Sequence, residues 1–304
     1  MRTSLLRLAI PLVSLVLAVA AAHAGDFQQQ VAADPRGEVD VSNISGDIVI
    51  SGWDQSAVSV TADLPGDTQR VKLLSAHGRT TVCVAYNGSN SCNSPGFFHD
   101  RSSVRLEVHV PRGSELDVSS VSADITSSGV AGGQRLHTVS GDIEAELGSG
   151  DDDINSVSGD IKLHGTGQDG ALHVASVSGD VIVTNAAGEL DARTVNGRLS
   201  AGLSSARLVR LNTTSGDTDF SGRLASGGSI ETETVSGDQK IDVSAPGGYS
   251  FEVSTFSGDI KDCFGQQAVR SEYGPGSHLD GTRGGGDGHI RVHSLSGDVS
   301  LCDR

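Results

Sequence analysis

The chain has 304 residues, of which 40 are Gly and 42 are Ser, while aromatic side chains make up only 4%. Acids outnumber bases 38 to 22 for a formal charge of −16, and only four of the bases are Lys. That balance excludes a nucleic-acid binder, which needs a basic footprint to displace counterions, and so few aromatics exclude a large aromatic-centred core.

The first element is an export signal. Arg2 and Arg7 precede an apolar run from Leu8 to Ala22, and Ala22-His23-Ala24 has the small-x-small form of a cleavage site. Residues 1–24 therefore read as a secretory signal peptide. The run is broken by Pro11 and Ser14 and is short for a membrane span. The mature chain is expected to be soluble outside the cytoplasm, in the periplasm, secreted or at the surface of a bacterium, with no membrane insertion of its own.

Residues 25–115 read as an N-terminal β segment that carries a first copy of a repeat and a Cys-containing loop. Residues 116–304 read as the repeat proper. The phrase Val-Ser-Gly-Asp-Ile, or a close variant, places its fourth residue, the corner residue, at Asp47, Asp124, Asp142, Asp160, Asp180, Arg198, Asp217, Asp238, Asp259 and Asp298. From Asp124 to Asp259 the steps are 18, 18, 20, 18, 19, 21 and 21 residues, whereas the first step is 77 and the last is 39. Apolar residues recur eight and six positions before the corner residue, as in Leu116 and Val118, and one and three after it, as in Ile161 and Leu163. Spacing by two is strand alternation, and Ser-Gly-Asp is turn chemistry. Each unit is strand, corner, strand, too small to bury its own apolar face, so stacking must supply the core. The fold class expected is all-β, a β-solenoid (β-helix-like) of stacked repeats about 20 residues long. Val177 is counted among its inward residues, so that Val177→Asp should cost several kcal/mol. Gly179 is expected at positive φ.

This combination resembles one bacterial family. A signal peptide, an N-terminal β segment, a strand such as Val104–Pro111 and serial Ser-Gly-Asp-Ile repeats are similar to the domain-of-unknown-function family 4097, the "putative adhesin" family. The resemblance covers nearly the whole mature chain. It implies a β-solenoid-like fold and an envelope setting, and it brings no catalytic residues.

Nine of the 28 Asp occupy the corner: Asp47, Asp124, Asp142, Asp160, Asp180, Asp217, Asp238, Asp259 and Asp298. Their expected role is structural, each carboxylate accepting backbone N–H groups at its corner. Stacked carboxylates also suit hard cations, and Ca²⁺ is the one cofactor they suggest. The calcium-binding nonapeptide is missing and Arg198 interrupts the column, so no cofactor and no metal ligand is assigned. Four Cys in an exported chain allow three disulfide connectivities. Cys83 and Cys92 flank Asn87-Gly88, a hairpin turn signal. Cys263 and Cys302 each lie four residues after a corner Asp and so share one phase of the repeat. The expected pairs are Cys83–Cys92 and Cys263–Cys302, with residues 265–288 a protruding Gly-rich loop.

No nucleophile elbow, phosphate loop or metalloprotease helix motif occurs. His289 and His293 are four apart in a strand and read as surface residues. The functional expectation is a non-enzymatic envelope module, an adhesin or partner-binding protein, whose partner is an envelope protein or an extracellular polymer. Phe97 and Phe98 are its candidate contacts, together with the 265–288 loop. The alternatives are a polysaccharide-acting β-helix enzyme and a structural or stress-related envelope component without a ligand.

Overall fold

Alternating apolar and polar residues commit each repeat to strands with one face turned inward. The computed structural model describes residues 26–64, 70–85, 103–270 and 275–303, and every regular element among them is a β-strand. Together they form one continuous hydrogen-bonded sheet. Among the described residues no helix is long and apolar enough to cross a membrane.

Each repeat supplies two limbs, one before its corner and one after it. Limbs of successive repeats pair in parallel and in phase: Ile154 lies beside Leu136 and Val174, and Ile161 lies beside Ile143 and Val181. Register in phase turns each sequence position into a column running down the stack. The inward columns hold Val39, Leu116, Leu190, Val209 and Ile230 before the corner, and Ile48, Ile125, Ile161, Val181 and Leu199 after it, all buried. In the column eight places before the corner, two places are polar. Gln134 is buried with its amide donating to the Glu146 carbonyl (2.7 Å) and its Oε1 accepting from Ser127 (2.7 Å). Asp152 is buried directly beside it.

The all-β class and the stacked repeats are present, but a solenoid whose coils simply follow chain order does not describe either end. At the first end, Glu38–Trp53 lies directly beside Glu115–Ser128, with Asp47 opposite Asp124. The 77-residue step between them is an excursion onto the far side of Glu38–Trp53. Arg79–Ala85 and Val104–Pro111 run parallel to its two limbs. Ala57–Asp63 and Arg70–Ala76 pair antiparallel with those strands, and Asp26–Ala32 pairs antiparallel with Ala57–Asp63.

At the other end the order is interleaved. The strand Gly288–Ser296, latest of the ten pre-corner limbs in sequence, pairs in parallel with Thr218–Ser236 on one side and with Gly248–Ser257 on the other. The post-corner strand Val299–Asp303 likewise sits between Gln239–Ser244 and Ile260–Asp262. The stack therefore runs Asp217, Asp238, Asp298, Asp259. Charge supplies a physical reason: Arg291 lies 3.8 Å from Glu231 and 3.5 Å from Glu252. In chain order those two carboxylates would be cross-strand neighbours, a destabilising like-charge pair.

Residues 265–288 are also more ordered than a protruding loop. Ser277–Gly284 pairs antiparallel with Gly248–Ser257, and Val269–Arg270 pairs with Ser277–Gly284. Leu279 is buried there, and Arg283 stacks over Phe264 with 4.1 Å to the ring centroid. A hairpin that covers the last parallel strand saves its edge from standing open.

Cys263 and Cys302 form a disulfide with Cα atoms 4.9 Å apart, joining the Asp259 and Asp298 rungs. It pins the interleaved coil to its neighbour. Replacing both by Ser should lower the unfolding free energy by about 4 kcal/mol, since the bond closes a loop of 39 residues. Chemical denaturation of the oxidised and double-Ser proteins checks this, and equal midpoints would refute it. Cys83 is disulfide-bonded as well; Cys92, its expected partner, lies outside the described residues, as do residues 1–24, Phe97 and Phe98.

Candidate functional site at the corner edge

The corner repeats ten times, and parallel pairing lines the copies up along one edge of the molecule. With neighbouring strands about 4.8 Å apart, ten rungs span about 43 Å. Three columns are presented side by side. Three positions before the corner residue is an apolar side chain on nine rungs and Thr214 on the tenth, two before is Ser or Asn, and the corner residue itself is Asp or Arg.

The bend is made by the Gly between Ser and Asp. Gly179 has φ of 151°, and a Cβ there would lie 2.2 Å from the carbonyl oxygen of Gly159 on the next rung. The same approach recurs along the stack, with Gly159 against Gly141, Gly197 against Gly179 and Gly258 against Gly297. At these corners the absent side chain lets the rungs stack this closely; Ala123 carries a buried methyl at the one corner without Gly.

The carboxylates form a ladder. Asp124 Oδ1 accepts the backbone N–H of Asp142 (2.9 Å), Asp142 that of Asp160 (2.8 Å), Asp160 that of Asp180 (2.9 Å), and Asp180 that of Arg198 (2.8 Å). Beyond Arg198, Asp217 accepts from Asp238 (3.1 Å), Asp238 from Asp298 (2.9 Å) and Asp298 from Asp259 (2.9 Å). Each of these seven carboxylates thus bonds to the corner of the adjacent rung, not to its own. Three guanidinium groups touch the ladder: Arg105 lies 3.8 Å from Asp47, Arg198 lies 3.9 Å from Asp217, and Arg270 lies 3.2 Å from Asp259. These pairs are exposed and contribute little stability; among the described residues the other six corner carboxylates make no such ion pair, five of them exposed and Asp180 half-buried.

The apolar column is the feature that sequence reasoning missed. Val121, Val139, Val157, Val177, Val195 and Val235 are 40–47% exposed, and Leu295 and Phe256 are 48% and 53% exposed. Ile44 heads the column, half-buried, and Thr214 is its one polar member. Val177 is therefore an outward residue, and the expected cost of Val177→Asp as a buried charge does not apply. The parity of the strand carried the signal: if positions eight and six before the corner point inward, so does position four, and position three points out. Position four is indeed the small buried residue inside the bend, among them Thr138, Ser156, Ser176 and Thr194.

Elsewhere, Glu38, Asp40 and Asp117 bring carboxylate oxygens within 4.8 Å of one another, the one such acidic group among the described residues. Arg79 already lies against Glu38 and Asp40, and burial pushes the Asp40 carboxyl up against that pull. The ladder Asp are not part of this group. His289 and His293 each bond a serine of the adjoining strand, Ser250 at 2.6 Å and Ser254 at 2.8 Å. His289 borders an open groove of about 550 Å³ that holds three acids: Glu231 and Glu252, both engaged by Arg291, and Asp280, which lies 3.1 Å from His278.

Parallel coil-on-coil pairing around a recurrent Ser-Gly-Asp corner defines a repeat protein of the all-β class. The chain belongs to the Toastrack DUF4097 family, whose model matches residues 38–302. Among solved structures it is similar to a putative adhesin from Bacteroides fragilis, at 13% identity and TM-score 0.41, over 93% of this chain and 98% of that one. It is also similar to a putative adhesin from Parabacteroides distasonis, at 10% identity and TM-score 0.33, over 92% and 97%. A third, a putative lipid binding protein from Parabacteroides distasonis, shares 13% identity at TM-score 0.29, over 92% and 97%. Curated protein sequences return no match.

Proposed function

We propose that the protein is an exported, non-enzymatic envelope or surface module, a solenoid-like rack that binds a partner by its long corner edge. The observation that supports this reading is the registration of the three corner columns. A surface that repeats the same three side chains on successive rungs suits an extended partner, an envelope protein or an extracellular polymer. The Cys263–Cys302 disulfide fits an oxidising compartment outside the cytoplasm, in keeping with residues 1–24 acting as a cleaved signal peptide. An enzymatic reading finds less support, because two of the three acids of the 550 Å³ groove, Glu231 and Glu252, are paired with Arg291 and the third, Asp280, lies against His278, while a hydrolytic pair needs free carboxyl groups.

The test presents the mature chain, residues 25–304, to arrays of glycans, envelope polymers and envelope proteins, and assays the same polymers for depolymerisation. Saturable binding without shortened products is the expected result. Release of shortened polymer by the purified chain would overturn the assignment in favour of a polysaccharide-acting enzyme.

A further inference from the structure

Most other outward positions of the repeat obey the rule that strand faces in water are polar, with Val49, Ala175 and Ile182 as scattered exceptions. Seven places before the corner, all ten rungs carry a charged residue or His, from Asp40 and Asp117 through Arg210 and Glu231 to Arg291 and Glu252. Three places before the corner the rule is reversed on nine rungs of ten. Single exposed apolar side chains need no explanation, whereas a contiguous exposed column marks a contact surface. Strand propensity alone does not account for it. Thr has the same branching as Val and the same preference for strands, yet it is used once, at Thr214.

From this edge we infer that the occupant is a cationic amphipathic peptide segment, its apolar side chains seated on the Val/Leu/Phe column and its Lys or Arg on the Asp ladder. The inference rests on the partner-binding function proposed above and names the chemistry of the partner. Charge complementarity selects it. The column is flanked by nine carboxylates against three guanidinium groups, on a chain of net charge −16. A second copy of the chain would bring a further −16 and no column of cations. An anionic lipid surface would be repelled by the same ladder. A peptide with an apolar and a basic face meets both columns at once. Carboxylates bonded on one oxygen by the next rung are held in place and lose little freedom on pairing.

The test uses the full mature chain and three labelled peptides of 22 residues: an amphipathic Leu/Lys helix former, a Lys/Ser control of equal charge, and a Leu/Glu control of equal apolarity. Fluorescence anisotropy should show the Leu/Lys peptide binding at least tenfold tighter than either control, with affinity falling as salt rises. Two variants dissect the edge. Val139→Ser/Val157→Ser/Val177→Ser removes part of the exposed column without touching the core. Asp142→Asn/Asp160→Asn/Asp180→Asn removes charge but keeps an Oδ1 to accept the next rung's N–H. Each should keep the melting temperature within a few degrees and weaken the Leu/Lys peptide at least tenfold, the Asn variant also losing most of the salt dependence. Equal binding of the Lys/Ser peptide, or unchanged binding by the Val→Ser variant, would overturn the inference. So would self-association, or binding to phosphatidylcholine vesicles, that the Val→Ser variant abolishes while wild type ignores the Leu/Lys peptide. If the Val→Ser variant still binds the array partner of the wild type, the binding function stands and only this site falls.

Discussion

Gly179→Val is expected to destabilise the protein by roughly 3–5 kcal/mol, the sum of a β-branched residue held at positive φ and an overpacked corner. The backbone at Gly179 sits at φ of 151°, and the new Cβ would meet the Gly159 carbonyl oxygen at 2.2 Å. That oxygen belongs to the backbone of the next rung and cannot swing away. The corner is also tied from the other side, where the Gly179 N–H donates to the Asn196 carbonyl at 3.1 Å. Relief would therefore require neighbouring rungs to separate, breaking the in-phase register that builds the core. Denaturant unfolding of Gly179→Val beside Lys162→Ala, an outward change of negligible expected effect, measures it. Equal midpoints for the two variants would show that the corner tolerates a side chain.

The second large effect is a pH dependence set by Asp152. Its side chain is 4% exposed, occupies an inward place where other rungs carry Leu172 or Leu190, and accepts the Gln134 N–H at 2.9 Å. Burial pushes its carboxyl up to about 7 from the ordinary 3.8, with Asp151 adding to the rise and the Gln134 N–H opposing it. The folded state thus binds a proton more tightly than the unfolded chain. Its stabilising contribution is complete below about pH 4 and is lost as pH rises toward and through 7. The loss is on the order of 4 kcal/mol by linkage. In Asp152→Asn the Oδ1 can still accept from Gln134 and nothing titrates. The stability difference between variant and wild type should therefore grow in the variant's favour by about that amount between pH 4 and pH 8. A difference that stays flat across this range would place the carboxyl in its ordinary range and refute the assignment.

Much of the architecture was legible because a repeat states its own register. Once Asp142, Asp160 and Asp180 stand 18 and 20 residues apart, parallel stacking puts them side by side, and the shared phase of Cys263 and Cys302 brings those thiols together. What sequence period cannot reveal is the order of the rungs, since every rung presents the same edges to its neighbours. The interleaving of the Asp298 rung was written in the outward charges, with Glu231 and Glu252 needing Arg291 between them, and not in the apolar pattern. The exposed Val column was obscured for a different reason. Val177 is hydrophobic and hydrophobic residues are usually inside, so its parity was overridden by its chemistry. Asp152 errs in the opposite sense, a charged residue type in an inward column, indistinguishable by composition from its neighbours Asp151 and Asp153. The segment 265–288 reads as loop because its Gly residues mask the alternation at Ser277 and Leu279.

The interleaved rung also constrains the sequence of events in folding. The Asp238 and Asp259 rungs are consecutive in the chain, yet they must leave a strand-wide gap between them that only residues 288–303 can fill. A chain emerging from its amino end can build outward rung by rung as far as Asp238, each new coil finding its template already in place. From there onward the assembly has to wait, with two open strand edges facing the vacant slot, until the filling segment has arrived. Pairing the two early rungs directly would be the natural error, and the Glu231–Glu252 repulsion opposes it. Completion of the rack is thereby coupled to delivery of this late segment, and the Cys263–Cys302 bond can close only after the slot has been filled.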